Sequence, residues 1–315
     1  MGTWITNRIQ DYWRTDSLFN LRCFGYNMSR DRFLIILRCL HFAKNPQPGE
    51  NIEDRIYKFR PLLNFFSSKM IEIYQPGKNL SLDESMVLWR GRLNFRVYIK
   101  NKRHKYGIKL YILTEPDGLV LNMSVYTGSL DSAGGKGHTK KVVLGLMENH
   151  LNCGHSIFMD NFYVSVGLAK ELLRKKIYCT GTLRGNRKGN PKEIVNAKLQ
   201  KGQSLAKYQN GVLVGKWKDK RDVLYLSTEF KNKLVENENK RGDKITRPLT
   251  ILKYKEYMSG VDRKDQMMAY YPCKRKTLRW YKKLGIHLFQ LILVNSHYLY
   301  NKHSGQKMTL YDFRL

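Results

Sequence analysis

Two aspartates three residues apart, Asp262 and Asp265 in the stretch MSGVDRKDQMMAY, are the residues whose spacing first suggests chemistry. At the start of a helix that spacing puts both carboxylates on one face, where they repel by roughly a few tenths of a kcal/mol and invite a cation. The ordinary alternative is a solvated helix start, since the helix dipole favours acids in a first turn. Two upstream aspartates add weight. Asp83 interrupts the strand-like run LSLDES, although strands disfavour Asp and a buried charge needs a partner. Asp160 closes the short apolar run SIFMD. A strand-edge acid beside Glu84 and an Asp-Asn turn are their plain alternatives. Set at strand ends and a helix start of one α/β unit, Asp83, Asp160 and Asp262 would suit hard divalent cations, Mg2+ or Mn2+. Two such ions roughly 3.5 to 4 Å apart activate a hydroxyl and stabilise the leaving oxygen in phosphodiester cleavage.

Charge points to the same kind of substrate. Lys and Arg number 57 against 26 acids, a net charge of +31, with a pI near 9.9. Charge on that scale otherwise only strains a compact fold, so a polyanion partner is expected. With 42% hydrophobic and 12% aromatic residues the chain can still build a core. The cations cluster. Arg90, Arg92, Arg96, Lys100, Lys102, Arg103, Lys105 and Lys109 run without an acid and interleave with Phe95, Tyr98 and Tyr106, a pattern in which cations track phosphates and rings stack on bases. A second patch, Lys274, Arg275, Lys276, Arg279, Lys282 and Lys283, surrounds Trp280, which could stack on a base or simply pack in a core.

Other chemistries drop out. The five cysteines show no C-x-x-C and the histidines no metal-ligand spacing, so neither a disulfide framework nor zinc is expected. There is no P-loop and no G-x-S-x-G elbow. No apolar run approaches the ~18 residues of a membrane span, and MGTWITNRIQDYW has no signal-peptide core, so no membrane partner is expected.

Elements must position these residues. Phe33, Ile36, Leu37 and Leu40 predict a buried helix over 28–42 with Ser29 as N-cap. A second helix is predicted over 60–74, opened by Pro61 and stopped by Pro76-Gly77. Residues 1–78 therefore read as a helical region. From 79 to 182 the period changes: a strand carrying Asp83, strands over 107–113 and 119–126 joined by a Glu-Pro-Asp-Gly turn, a helix over 139–149, a strand over 156–159 ending at Asp160, a helix over 165–174 and a strand over 178–182. That order is α/β. Residues 183–250 read as a β-rich insertion with Asn-Gly turns, and 251–315 return to helix, with 280–300 apolar nearly all round and hence a core helix.

Three ordered blocks, SLDESMVLWRGRLNFRVYIKNKRHKYGIKLY, FMDNFYVSVGLAKELL and SGVDRKDQMMAYYPCKRKTLRW, resemble the piggyBac family of DNA transposases, and the likeness extends from DYW at Asp11 to the final YDFRL. The resemblance implies an RNase H-like core interrupted by a β-rich insertion, a helical N-terminal dimerisation and DNA-binding region, Mg2+ dependence, and cut-and-paste movement at TTAA targets through hairpin ends. It further implies a homodimer acting on double-stranded DNA in the nucleus. By motif, Asp83, Asp160 and Asp262 are similar to the family's three catalytic, metal-holding aspartates, Asp265 to a further required Asp, and Trp280 to a Trp at the hairpin end. Family members generally carry a longer region before DYW, and many end in a cysteine-rich zinc module that reads transposon ends. Neither is present between Met1 and Leu315, so no structural zinc and no sequence-specific end binding are expected of this stretch. The alternative is a transposase-derived DNA-binding protein without catalysis.

Overall fold

The computed structural model describes residues 6–17, 20–100, 104–128, 134–238, 242, 244–273 and 277–315. It forms two compact units, one spanning Phe66–Gln266 and one joining Met1–Phe65 to Met267–Leu315. The four segments expected from sequence texture cut the chain differently, because the last helices cluster with the first ones rather than with the sheet.

In the unit of the chain ends, α1 (Arg22–Asn27) and α2 (Arg30–Cys39) precede the first turns of α3 (Arg60–Ile73). Ser29 caps α2 as expected, accepting from the Arg32 backbone N–H at 3.4 Å. The expectation that α2 is buried is corrected: none of its residues is buried, and Ile35 and Ile36 are exposed. The stripe that turns inward is Phe33, Leu34, Leu37 and the following Leu40, each half-buried, with the Phe33 ring 5.2 Å from Trp13.

The larger unit is built on a nine-stranded mixed sheet. Its first strands are β1 (Asn79–Leu88), the two-residue β2 (Val97–Tyr98), β3 (Tyr106–Thr114) and β4 (Val120–Val125). Next come α4 (His138–Leu146), β5 (Ser156–Met159), α5 (Val166–Arg174) and β6 (Tyr178–Thr182). The strand boundaries of β5 and β6 coincide with those predicted. β1 sits between antiparallel β3 and parallel β5, and β5 pairs in parallel with β6. The run IKLYIL of β3 is buried throughout, as a strand covered on both faces must be. This is the mixed α/β architecture expected from the resemblance.

The β-rich stretch does more than interrupt the core. After the short α6 (Lys192–Asn196), the meander β7 (Ser204–Gln209), β8 (Val212–Lys218) and β9 (Asp222–Ser227) joins the same sheet, because β9 pairs antiparallel with β6. Asn210 and Gly211, at φ 51° and 77°, make the tight turn between β7 and β8, the left-handed pair that a two-residue hairpin requires. A separate pair, β10 (Leu234–Glu238) and β11 (Lys244–Pro248), leads into α7 (Leu249–Tyr257) and α8 (Gly260–Tyr270).

Returning to the unit of the chain ends, α9 (Trp280–His303) and α10 (Leu310–Arg314) close the chain. α9 is the expected core helix along Leu284, Leu288, Leu291 and Val294, but Phe289 is exposed, so it is not apolar-buried all round.

Candidate active site

The site begins with the alternation of β1. Residues 81, 83 and 85 share one face of the strand, and two of them are pinned. Ser81 Oγ donates to the Met258 carbonyl at 3.0 Å, and Ser85 Oγ donates to Asp265 at 2.7 and 3.0 Å. Asp83 stands between the two pins, its Oδ1 accepting the Glu84 N–H at 2.7 Å. Leu82 is in register with Met159 across the parallel β1–β5 pair. The residues that follow on the two strands are Asp83 and Asp160, so the two carboxylates leave neighbouring strands, about 4.8 Å apart, at one level. Asp160 turns the chain, accepting the Phe162 N–H at 2.8 Å.

Two glycines allow backbones to pack closely around these carboxylates. A Cβ on Gly181 would lie 2.0 Å from the Met159 carbonyl oxygen, just before Asp160, and a Cβ on Gly260 would lie 2.3 Å from the Glu115 carbonyl oxygen. Gly260 therefore lets the first turn of α8 approach the sheet, and Asp262 sits exposed in that turn while Asp265 is half-buried.

Electrostatics gathers the three aspartates. The phenol of Tyr254 on α7 is pushed up to about 12 by burial, opposed by a hydrogen bond with Thr182 and reinforced by the negative charges of Asp160, Asp83 and Asp262. All three carboxylates thus lie within electrostatic reach of one phenol. Burial raises the Asp160 carboxyl above its ordinary range, with Glu84 adding to the rise while the Phe162 N–H and the Arg184 guanidinium oppose it. Glu84 projects to the opposite face of β1, where the Tyr163 hydroxyl donates to it at 3.3 Å. Burial, followed by Glu84 and Asp83, drives the Tyr163 phenol far upward.

Among the described residues no three His, Cys, Asp or Glu side chains converge closely enough to hold a metal ion together. The carboxylates are assembled on one side of the sheet but are not closed on a point. Their chemistry nevertheless fits a hard cation: every donor is a carboxylate oxygen, the set that Mg2+ and Mn2+ take and soft metals do not.

The basic residues divide. Arg90, Arg92, Arg96, Lys100 and Lys105 are exposed. Arg96 also braces its own loop, donating to the carbonyls of Arg90 and Gly91 at 3.0 and 3.2 Å. Lys109 departs from the surface role expected of it. It is 8% exposed, with its ammonium 4.5 Å from the Phe162 ring centre and 4.8 Å from that of Tyr111, because β3 is covered on both faces. Lys102, Arg103, Arg275 and Lys276 lie outside the described residues. Arg279 is exposed and Trp280 half-buried at the start of α9, in the unit of the chain ends, where Trp280 meets Tyr281 edge-on at 6.0 Å. Lys282 of the second basic patch is buried, donating to the Leu37 and Arg38 carbonyls at the end of α2.

Four residues at the site escape a reading by motif alone: Tyr254, Lys264, Arg184 and Arg187. Lys264 is wholly buried and joins Asp265 to Ser85. Arg184 donates to Asn161 Oδ1 at 2.9 Å, and Arg187 donates to the carbonyl of Phe162, so both clasp the turn that carries Asp160. A signal for the arginines was present in RGNRKGNP, a basic loop directly after the strand that neighbours Asp160's own, since sites of α/β sheets gather at carboxyl ends of parallel strands.

A family model described as Transposase IS4 matches residues 1–297. The chain belongs to this transposase family. Within it, the chain is of the piggyBac type. It is 26% identical over 310 residues to the human PiggyBac transposable element-derived protein 3, covering 91% of this chain and 51% of that protein. It is 26% identical over 309 residues to the human PiggyBac transposable element-derived protein 2, covering 90% and 50%. A cryo-EM structure of a piggyBac transposase synaptic complex with hairpin DNA superposes with a TM-score of 0.83 at 28% identity, over 97% of this chain and 66% of that one. The chain thus spans about half the length of these curated relatives.

Proposed function

We propose that this chain is the catalytic region of a piggyBac-type transposase, cutting and joining DNA strands at transposon ends with the help of Mg2+ or Mn2+ and inserting at TTAA targets. The observation that carries the reading is the level placement of Asp83 and Asp160 on neighbouring parallel strands, with Asp262 on the helix that β1 pins. Asp83 and Asp160 would hold the cation, and Asp262 would supply the third carboxylate. When bound, such cations activate a hydroxyl and neutralise the leaving oxygen. The chain's own groups orient the rest. Arg187 fixes the Phe162 carbonyl and Arg184 fixes Asn161, which holds the Asp160 turn in place. Exposed Arg184 also offers charge to a phosphate beside Asp160, and exposed Arg90, Arg92, Arg96, Lys100 and Lys105 offer a track for the duplex. Action as a homodimer in the nucleus belongs to the same proposal and follows from the family resemblance.

The reading is tested on duplexes bearing transposon ends. Metal-dependent nicking or strand transfer is expected from the wild type and is expected to vanish in Asp83→Asn, with the circular dichroism spectrum and melting behaviour retained. Equal activity in the two proteins sinks the metal assignment. DNA affinity that falls with salt should persist in the variant, because a lost carboxylate removes no phosphate contact.

A second reading, a transposase-derived DNA-binding protein without catalysis, is favoured by the open spacing of the three carboxylates. Salt-dependent binding without any metal-dependent cleavage by the wild type selects it.

A further inference from the structure

Lys264 is the one cationic side chain among the described residues with no exposed surface at all, although it lies between the exposed Arg263 and the half-buried Asp265 on α8. Its ammonium donates to Ser85 Oγ at 3.0 Å and to Asp265 Oδ1 at 2.5 Å, while Ser85 Oγ donates to both Asp265 oxygens. Three side chains thereby close a ring between β1 and α8. An ammonium without water needs compensation of this kind, since burying a charge alone costs several kcal/mol.

The ring is placed where it governs the spacing of the site. Ser85 is two residues beyond Asp83 on the same face of β1, and Asp265 is one turn beyond Asp262 on the same face of α8. At the other end Ser81 holds the Met258 carbonyl just ahead of α8. Whatever fixes Ser85 to Asp265 therefore fixes how Asp262 stands towards Asp83. Asp265 itself already neutralises an ammonium and accepts from a hydroxyl, so part of its negative charge is already taken up within the ring.

We propose that Lys264 is a positioning residue which, through Asp265 and Ser85, sets the first turn of α8 against β1, and that Asp265 serves this ring rather than binding metal. The inference rests on the metal-dependent reading given above and divides its four aspartates into three that face the cation and one that steadies them.

The test uses the full chain with Mn2+ alone as probe, its binding followed by electron paramagnetic resonance, alongside metal-dependent nicking. The double variant Lys264→Met/Asp265→Asn removes both charges together and leaves no buried ion unpaired. It is expected to lose clearly less Mn2+ affinity than Asp83→Asn does, while its cleavage rate at saturating Mn2+ falls by about tenfold or more, as displaced reacting groups do. The single Asp265→Asn is expected to melt lower than the double variant, because it strands the Lys264 ammonium. Ser85→Ala, which keeps both charges, is expected to show the same split, a smaller loss of Mn2+ affinity than in Asp83→Asn beside a reduced rate at saturating Mn2+. Mn2+ affinity in the double variant falling as far as in Asp83→Asn overturns the inference, as does an unchanged cleavage rate. Unchanged Mn2+ affinity in Asp83→Asn overturns the metal reading itself, and is distinguishable because it appears without any change at Lys264.

Discussion

Glu115 and Asp160 each follow the last residue of a strand in the same sheet, Glu115 after β3 and Asp160 after β5, yet their surroundings differ in kind. Glu115 is 4% exposed and has a donor for each oxygen, the Gly77 N–H at 2.6 Å and the Tyr74 hydroxyl at 2.9 Å. Asp160 accepts from the Phe162 and Tyr163 N–H groups and feels the Arg184 charge, yet burial pushes it upward and the field of a further carboxylate, Glu84, adds to the rise. A buried acid with a donor on each oxygen is holding the fold together. One left in a field of like charge is a place for a cation. The contrast separates structural acids from working ones without reference to motif, and it places Asp265, ringed by Ser85 and Lys264, on the side of Glu115.

The largest expected effect breaks the structural member of the pair. Glu115→Ala strands a buried hydroxyl and a backbone N–H where α3 meets the sheet. With hydrogen bonds to a charged group worth about 1.5 to 3 kcal/mol each, a loss of about 3 kcal/mol is expected in urea unfolding. A loss below ~1 kcal/mol would show that water replaces the carboxylate and that the contrast with Asp160 is weaker than the geometry implies.

The working member should respond in the opposite direction. Because burial raises the Asp160 carboxyl, the folded state holds that proton more tightly than the unfolded state does. Its contribution to stability is therefore greatest below the ordinary carboxylate range and is lost as pH rises through the raised value. Asp160→Asn, which cannot ionise, is expected to melt above the wild type at pH 7 in the absence of divalent metal. The gain should be smaller than the Glu115 loss and should vanish as the pH falls below the ordinary carboxylate range. Added Mn2+ should stabilise the wild type and not the variant. A variant that melts lower than the wild type at pH 7 would place Asp160 with Glu115 as a structural acid.

Much of this was legible in the residues themselves. Ser156–Met159 and Tyr178–Thr182 are short runs rich in strand-forming residues and bounded by turn residues, and such strands declare both ends. Asp83 stood out because an acid inside LSLDES contradicts local propensity, and contradictions of that kind collect at functional sites. What stayed hidden depends on partners distant in sequence. The burial of Lys264 is set by Ser85, 179 residues away, and a Lys following Arg263 on a helix reads as solvated. Glu115 looked like part of a hairpin turn, since its partners Tyr74 and Gly77 lie in the segment just after α3, 41 and 38 residues away. The meander of β7 to β9 was evident as β structure, but its joining to β6 is a pairing between edges, which alternation along one strand does not encode.

The same contrast holds among the cations, where the expected effects are smallest. Lys105 and Lys109 are four residues apart in one basic run, and composition alone treats them alike. Lys105 precedes β3 and is exposed, whereas Lys109 lies inside the strand with its ammonium against the Phe162 and Tyr111 rings. An exposed Lys that meets a phosphate releases about one counterion, so Lys105→Ala should weaken DNA binding modestly and reduce the slope of log affinity against log salt by about 0.9. Lys109→Met keeps the apolar stem and removes the charge. It should leave the salt slope unchanged and lower the melting temperature instead, through the lost contact with the rings, worth about 1 to 2 kcal/mol when desolvated. A reduced slope in Lys109→Met would return that residue to the DNA-binding surface and show that burial, which sorts the acids of this site, does not sort its cations.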